Sequence, residues 1–185
     1  MAKRQLPSPE VLRQLLSYDP ETGKLFWKRR DERWFVGTSK SPKVLAKWWN
    51  GRFAEKEAFT PVNSAGYHTG TVLLKMLQAH RIAWAIHYGE WPEGFLDHIN
   101  GIRTDNRIEN LRPATPAENA TNRGPQKNSV TGIKGVGWCK KSRKWRARVV
   151  YQRKQHVVGY FDDISDAAAA YAVAVKRYHG EFSRT

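Results

Sequence analysis

Cysteine is almost absent from this sequence: Cys139 is the only one among 185 residues. A single thiol cannot form an internal disulfide, and it excludes the cysteine-rich class of zinc sites. Long apolar runs are also missing, because no stretch approaches the length of a membrane-spanning helix, which needs about 20 apolar residues. The opening MAKRQLPSPE has positive charge but no apolar segment behind it, so we do not expect a signal peptide. These absences predict a cytoplasmic protein with no membrane partner.

Acidic side chains are few. The chain has 17 Asp and Glu against 32 Lys and Arg, a formal net charge of +15. Residues 1–60 contribute +6 and residues 126–185 contribute +9, while residues 61–125 are neutral. A solvated basic surface would explain the excess alone, but eight tryptophans accompany it and favour a nucleic acid partner. We therefore divide the chain into an N-terminal DNA-contacting segment (1–60), a chemical core (61–125) and a basic C-terminal module (126–185).

The first region begins with a clear helix signal. Ser8 is a plausible N-cap and Pro9 follows at the first helical position, ahead of leucines at helical spacing. The DPETG segment predicts a turn and KLFWK a strand. From residue 31 to 61 the pattern weakens and SKSPK suggests a loop. We expect Trp48 and Trp49 to be partly buried, with a core role favoured over base stacking.

The neutral middle region predicts a hairpin running into a helix around Ala79–Tyr88, with Gly89 as its stop signal. We expect His80 and His87 on this helix to pack in the core.

The last region predicts a three-stranded antiparallel sheet packed on one helix. The helix should run from Ser165, as N-cap, to His179. The predicted strands are Ile133–Cys139, Trp145–Tyr151 and His156–Phe161. Because side chains alternate along a strand, Arg146 and Arg148 should face away from the helix-packed side.

Residues 96–124, LDHINGIRTDNRIENLRPATPAENATNRG, combine one Asp-His pair with a run of asparagines. GFLDHIN and NLRPA predict two short strands, and TPAENATNR predicts a helix. Thr115 and Glu118 form a capping box around Pro116, which specifies the helix start. Asn119 then lies on the first turn. The unit is a β-hairpin followed by a helix.

These residues resemble the HNH nuclease family, whose ββα-metal motif reads D/H-H-I-x-G … N … E-N-L … T-x-x-E-N. The match comprises Asp97-His98-Ile99-Asn100-Gly101, Asn106, Glu109-Asn110-Leu111 and Thr115 through Asn119. It extends upstream through AHRIAW and GEWPEG to YDPETGKLFWK, an entrance found in phage members. The resemblance implies that Asn110 organises the loop holding His98 and binds no metal.

The last third resembles an AP2-type DNA-binding domain, which is often appended to phage HNH endonucleases. Its IKGV stands where plant AP2 domains usually have tyrosine ahead of RGV, so base preferences do not carry over. The fold class is therefore α+β: a small ββα-metal core between an N-terminal helix/strand segment and an AP2-like sheet. We predict that DNA is contacted by Arg146, Arg148, Lys134, Trp138, Lys140 and Arg123.

The chemical requirements of phosphodiester hydrolysis match these residue types independently of the resemblance. The reaction needs a base for the attacking water, and a histidine near its ordinary pKa suits that task. It also needs positive charge at the phosphate, which a hard divalent cation with oxygen ligands supplies. His98 is thus the candidate base, and Asp97 and Asn119 are candidate ligands of one Mg²⁺ or Mn²⁺ ion. Alone, the Asp-His pair could be a hydrogen-bonded strand end. Asn106 and Asn122 are interpreted as either structural or substrate-contacting.

The sequence thus predicts a homing-type DNA endonuclease, encoded by a phage and acting in the host cytoplasm. We expect a monomer that nicks one strand of double-stranded DNA without a small-molecule cofactor. One alternative is a sequence-specific DNA-binding regulator with an inactive nuclease core; another is a nonspecific nuclease or toxin, to which an appended reader domain would add nothing.

Overall fold

A computed structural model of the chain describes residues 5–37, 40–125 and 129–182. The chain is a mixed α/β protein with small sheets, and it divides into two compact units. The first comprises Met1–His98 and Ile102–Pro113, and the second comprises Ile99–Gly101 and Ala114–Thr185. No helix in the described ranges is long and apolar enough to cross a membrane.

The first unit combines helices with short antiparallel pairings. Its helices are α1 (Pro9–Leu15), α2 (Pro42–Phe53) and α3 (Ala79–Tyr88), with 3-10 turns at Glu32–Phe35 and Ile108–Asn110. The strands are β1 (Leu16–Tyr18), β2 (Leu25–Trp27), β3 (Glu57–Ala58), β4 (Thr69–Val72), β5 (Lys75–Gln78), β6 (Phe95–His98) and β7 (Leu111–Ala114), whose last residue belongs to the second unit. They form an antiparallel β1-β2-β3 sheet, an antiparallel β4-β5 hairpin and a β6-β7 pair.

The predicted helix starts and stops in this unit are confirmed. The Ser8 hydroxyl accepts from the Val11 amide at 3.3 Å, and Pro9 is the first residue of α1. Helix α3 ends at Gly89, which adopts the left-handed conformation at φ 80°. The hairpin and α3 thus lie where the pattern placed them.

The weak pattern between residues 31 and 61 conceals a helix. Helix α2 begins at Pro42, although SKSPK was expected to be a loop; residues 38 and 39 lie outside the described ranges. Trp49 is half-buried, as predicted, but Trp48 is 57% exposed, which contradicts a core role. Among the residues of α2 only Ala46 is buried, so the helix offers no clear apolar stripe for a sequence pattern to detect.

Helix α1, sheet β1-β2-β3 and helix α3 enclose the core of the first unit. Its largest fully buried side chains are Leu12, Leu15, Leu16, Leu25, Val72 and Ile82. His80 is buried beside this core at 4% exposure, as expected. His87, near the C-terminal end of α3, is exposed, so the core role predicted for it is wrong.

The second unit contains a three-stranded antiparallel sheet in the order β8-β9-β10. Its strands are β8 (Val136–Cys139), β9 (Lys144–Tyr151) and β10 (Lys154–Phe161), and its helices are α4 (Pro116–Thr121) and α5 (Ile164–His179), followed by a 3-10 turn at Gly180–Phe182. The predicted three strands and closing helix are confirmed, with two corrections. The first strand begins at Val136, because Gly135 at φ 72° interrupts the extended run from Ile133. The N-cap of α5 is Asp163, whose carboxylate accepts from the Ser165 amide at 2.7 Å.

The sheet packs on α5 through Ala147, Val149, Tyr171 and Val175, all at most 4% exposed. Gly135 permits the close approach, because a Cβ there would lie 2.1 Å from a ring carbon of Tyr171.

Candidate active site

Asp97 and His98 occupy the last two positions of β6 and are 4% and 3% exposed. Arg112 projects from β7, the strand paired with β6. Its Nε and Nη2 donate to Asp97 Oδ2 at 3.1 and 2.9 Å. This two-pronged contact orients the carboxylate and supplies a counter-charge in a buried setting.

His98 Nε2 lies 3.2 Å from Asn106 Oδ1. A carbonyl oxygen can only accept, so in this assignment Nε2 carries the proton and the basic lone pair is on Nδ1. Burial lowers the pKa of His98 below its ordinary value, while the Asn106 hydrogen bond and the Asp97 charge oppose the shift. The ring is therefore neutral at pH 7 and able to accept a proton.

The loop that carries Asn106 is closed by its own side chains. Asn110 is 5% exposed, and its Nδ2 donates to the Asp105 carbonyl at 2.7 Å. Arg107 donates to both carboxylate oxygens of Asp105, from Nε at 2.9 Å and from Nη2 at 2.8 Å. Asn110 thus bonds the loop backbone, and Asn106 is the asparagine that contacts the catalytic candidate.

The DPETG turn packs directly on this loop. The Tyr18 hydroxyl donates to the Asn106 carbonyl at 2.7 Å, and the Ile108 amide donates to the Pro20 carbonyl at 3.1 Å. Gly23 has φ 73°, and a Cβ there would lie 2.5 Å from the Arg107 amide nitrogen. Only glycine allows the two backbones to approach so closely, so the N-terminal turn fixes the position of the loop that orients His98.

Helix α3 supports the site from another side. The His80 ring meets the His98 ring edge to face, with centroids 5.1 Å apart, and Tyr67 lies 5.1 Å from His80 and 5.9 Å from His98. Burial, with smaller contributions from His98 and Arg81, lowers the pKa of His80 to about 3, so its ring stays neutral. The next residue, Arg81, donates to the carbonyls of Pro92 and Gly94 at 3.0 and 2.8 Å, which holds the turn leading into β6.

Asn119, the other candidate metal ligand, lies on α4 in the second unit. The predicted capping box is confirmed, since the Glu118 amide donates to Thr115 Oγ1 and Glu118 Oε2 accepts from the Thr115 amide. Within the described ranges no three His, Cys, Asp or Glu side chains form a group that could hold a metal. The two ligands predicted from the sequence carry a carboxylate and an amide oxygen, donor types that suit a hard cation such as Mg²⁺ and not a soft one.

The chain matches the family model described as HNH endonuclease over residues 77–121, which include β6, β7 and α4. It is 30% identical to "Uncharacterized HNH endonuclease L560" of Acanthamoeba polyphaga mimivirus, over 80% of this chain and 72% of that one. The chain belongs to the HNH endonuclease family. It is also 33% identical to "Protein 3.8" of Escherichia phage T7, over 60% of this chain and 91% of the phage protein. No solved structure matches.

The side chains predicted to contact DNA outside the HNH segment lie in different settings of the second unit. Arg148 is exposed on the sheet face opposite Ala147 and donates to Gln155 Oε1 at 3.0 Å, and Arg146 is half-buried. Trp138 is 50% exposed and packs edge to face on Trp145.

The remaining three differ in what they contact. Lys134 donates to the carbonyls of Thr121 and Arg123, which joins the start of the module to the segment after α4. Lys140 and Arg123 are exposed. Recognition of DNA by these six residues remains a prediction.

Sequence reasoning left the structural role of several HNH-site residues open. Asn106 was kept as structural or substrate-contacting, and His80 was assigned to packing, yet both touch His98. Tyr18 and Tyr67 carried no signal, because their contacts join residues 88 and 31 positions apart in the chain. The one available clue was the YDPETG segment, which forms part of the resemblance to phage HNH nucleases but does not show which residues Tyr18 contacts.

Proposed function

We propose that this chain is a metal-dependent DNA endonuclease of the homing type that nicks one strand of double-stranded DNA. The observation that supports it best is the buried His98, neutral and hydrogen-bonded through Nε2 to Asn106, beside the Asp97 carboxylate. This is the arrangement that a general base for water requires.

In the proposed reaction His98 accepts a proton from the water that attacks the phosphorus atom. As the new P–O bond forms, the bond between phosphorus and the leaving oxygen breaks, and that oxygen takes a proton from solvent. Asn106 fixes the ring orientation and the tautomer, so that the proton is taken at Nδ1. The transferred proton makes His98 an imidazolium, which the neighbouring Asp97 charge favours. The base is regenerated when that proton is lost to solvent.

We assign Asp97 and Asn119 as the residues that would hold one divalent ion, Mg²⁺ or Mn²⁺. When bound, the ion supplies positive charge to the phosphate oxygens and the leaving oxygen. Arg112 keeps the Asp97 carboxylate oriented by holding Oδ2. With one carboxylate in the pair, we expect a weakly held ion whose binding is assisted by the substrate phosphate.

We assign target reading to the basic regions on either side of the core, with an AP2-like role for the three-stranded sheet of the second unit. Arg146 and Arg148 lie on its helix-free face, where strand-based readers contact DNA. We further propose that the protein acts as a monomer in the host-cell cytoplasm.

The test is relaxation of supercoiled plasmid by wild type and by His98→Ala, with Mg²⁺, with Mn²⁺ and with EDTA. We expect wild type to nick in either metal and to stop in EDTA. His98→Ala should lose nicking while its affinity for DNA stays within about twofold, because a base acts mainly in the transition state.

Full nicking in EDTA would refute the metal assignment. A wild type that binds one DNA sequence selectively and never nicks would favour the alternative of a regulator with an inactive core.

A further inference from the structure

Helix α2 presents an exposed face that is basic and apolar together. Viewed down the axis at about 3.6 residues per turn, Val44, Lys47, Trp48 and Gly51 share one face. Val44 and Trp48 are 61% and 57% exposed. Arg52 borders them on one side, and on the other Lys43 lies beside Lys47; the helix contains no acidic residue.

The opposite face of α2 fixes this helix to the first unit. Trp49 packs on Trp27, with ring centroids 5.7 Å apart, and the Arg30 guanidinium lies 3.9 Å from the Trp49 centroid. Asn50 exchanges two hydrogen bonds with the backbone of Arg30, both at 2.8 Å. The exposed face is therefore held in one orientation.

Trp48 is supported on the surface by its own helix. Its ring is 6.1 Å from Phe53 in an edge-to-face contact, and the Arg52 guanidinium lies 5.8 Å from its centroid. Leaving the apolar ring of a tryptophan in water is unfavourable in free energy compared with burying it. Among the described residues of the first unit, no tertiary packing contact accounts for its position, since the Trp49 side of the helix makes the tertiary contacts.

We propose that this face of α2 is a DNA-docking surface, with the cations on its two borders at the phosphates of the two strands and Trp48 toward the base edges. The proposal rests on the proposed function and adds where the first unit binds the substrate. A helix of 12 residues is about 18 Å long, and the major groove admits an α-helix. Charge complementarity selects the occupant, because Lys43, Lys47 and Arg52 meet only like charges on α2.

A membrane is the competing anionic surface. Interfacial helices bury a broad apolar face of several large side chains. Here the apolar part of the face consists of Val44 and Trp48 alone, and cations lie within one turn of both. That pattern fits a polyanion with spaced charges better than a bilayer interior.

Gly51 permits a matched test. It lies in the middle of the exposed face, and a Cβ added there meets nothing within 4 Å. Gly51→Lys and Gly51→Glu therefore add side chains of similar length and opposite charge without disturbing the packing, and both improve helix propensity. Gly51→Ala serves as the neutral reference, and the thermal midpoints of all three should be at or above that of wild type.

The assay is anisotropy of a labelled 30-base-pair duplex with the full chain at several salt concentrations, beside sedimentation with phosphatidylserine vesicles. We expect Gly51→Glu to bind DNA roughly tenfold more weakly than Gly51→Lys at 0.1 M salt, with log Kd against log salt flatter by about one. Lys47→Ala should flatten the slope similarly relative to wild type.

Equal DNA affinity of the Gly51→Glu and Gly51→Lys variants would refute the proposal that this face of α2 docks DNA. A charge effect seen only with vesicles would refute it as well. Either result leaves the proposed nuclease standing if wild type nicks DNA, because plasmid relaxation is read independently of α2.

Discussion

Asn106 offers the sharpest test of how the site orients its base. Asn106→Ala removes the carbonyl that accepts from His98 Nε2 at 3.2 Å, in a setting where Asn106 is 3% exposed. Removing one partner of a buried hydrogen bond costs roughly 1–3 kcal/mol. If that energy serves to orient the ring in the transition state, kcat for nicking falls roughly 5- to 150-fold. The Asn106 backbone carbonyl still accepts from Tyr18, so the loop should remain in place.

Asn106→Asp is the matched control, because it keeps the shape and the acceptor while adding a charge. The Asn106 hydrogen bond opposes the burial-induced lowering of the pKa of His98, and a carboxylate would oppose it more strongly. His98 must be neutral to accept a proton, so activity is lost as pH falls through its pKa. The acid limb of the pH–rate profile should therefore move to higher pH in Asn106→Asp, and to lower pH in Asn106→Ala.

Single-turnover nicking of plasmid between pH 5 and 9, at saturating enzyme and metal, gives both the plateau rate and the position of the acid limb of the pH–rate profile. Affinity for DNA, measured in parallel, should stay unchanged because Asn106 is shielded from solvent. Two profiles that move in the same direction, or do not move, would show that Asn106 does not set the proton affinity of His98. The argument from the 3.2 Å contact would then be wrong.

Two further predictions concern other parts of the chain. Burial lowers the pKa of His80 to about 3, whereas the unfolded chain takes up a proton near 6.5, so stability is full above pH 6.5 and declines as pH falls toward 3. At pH 5 this amounts to about 2 kcal/mol, and His80→Leu should show a smaller drop in Tm between pH 7.5 and 5 than wild type; an equal drop would refute the assignment. Replacing both Arg146 and Arg148 with alanine should lower the preference for target over scrambled DNA at one fixed salt while nicking at saturating enzyme persists, because a bidentate arginine–guanine pair contributes roughly 1–3 kcal/mol of discrimination. An unchanged ratio would place target reading elsewhere.

Local signals predicted the elements whose ends are set by neighbouring residues. The Ser8 cap and the Thr115 capping box each satisfy backbone amides within three residues, so sequence alone locates them. The alternation of β9 likewise predicted which side of the sheet is buried, and Ala147 and Val149 are at most 2% exposed. The same logic failed at α5, where Asp163 and Ser165 are both good caps and spacing cannot choose between them.

Contacts between distant residues were beyond such signals. Helix α2 is held by Trp49, which meets Trp27 edge to face and lies against the Arg30 guanidinium, and not by a regular apolar stripe, so the helical period is faint. The DPETG turn was predicted correctly as a turn, but its purpose depends on Gly23 meeting the Asn106–Arg107 backbone. The local sequence around Gly23 and around Asn106–Arg107 contains no signal that specifies this contact.

The candidate site is therefore larger than the segment that identifies the family. The HNH match covers residues 77–121, which include His98 and Asn106 but neither Tyr18 nor Gly23. Asn106 is oriented from both directions: its side chain meets His98, and its carbonyl accepts from Tyr18. Because the Gly23 turn packs against the same peptide, displacing it would release the acceptor that fixes the His98 tautomer. The N-terminal turn is thus linked to the candidate base through one asparagine, which gives the turn a structural role beside the nuclease motif in this chain.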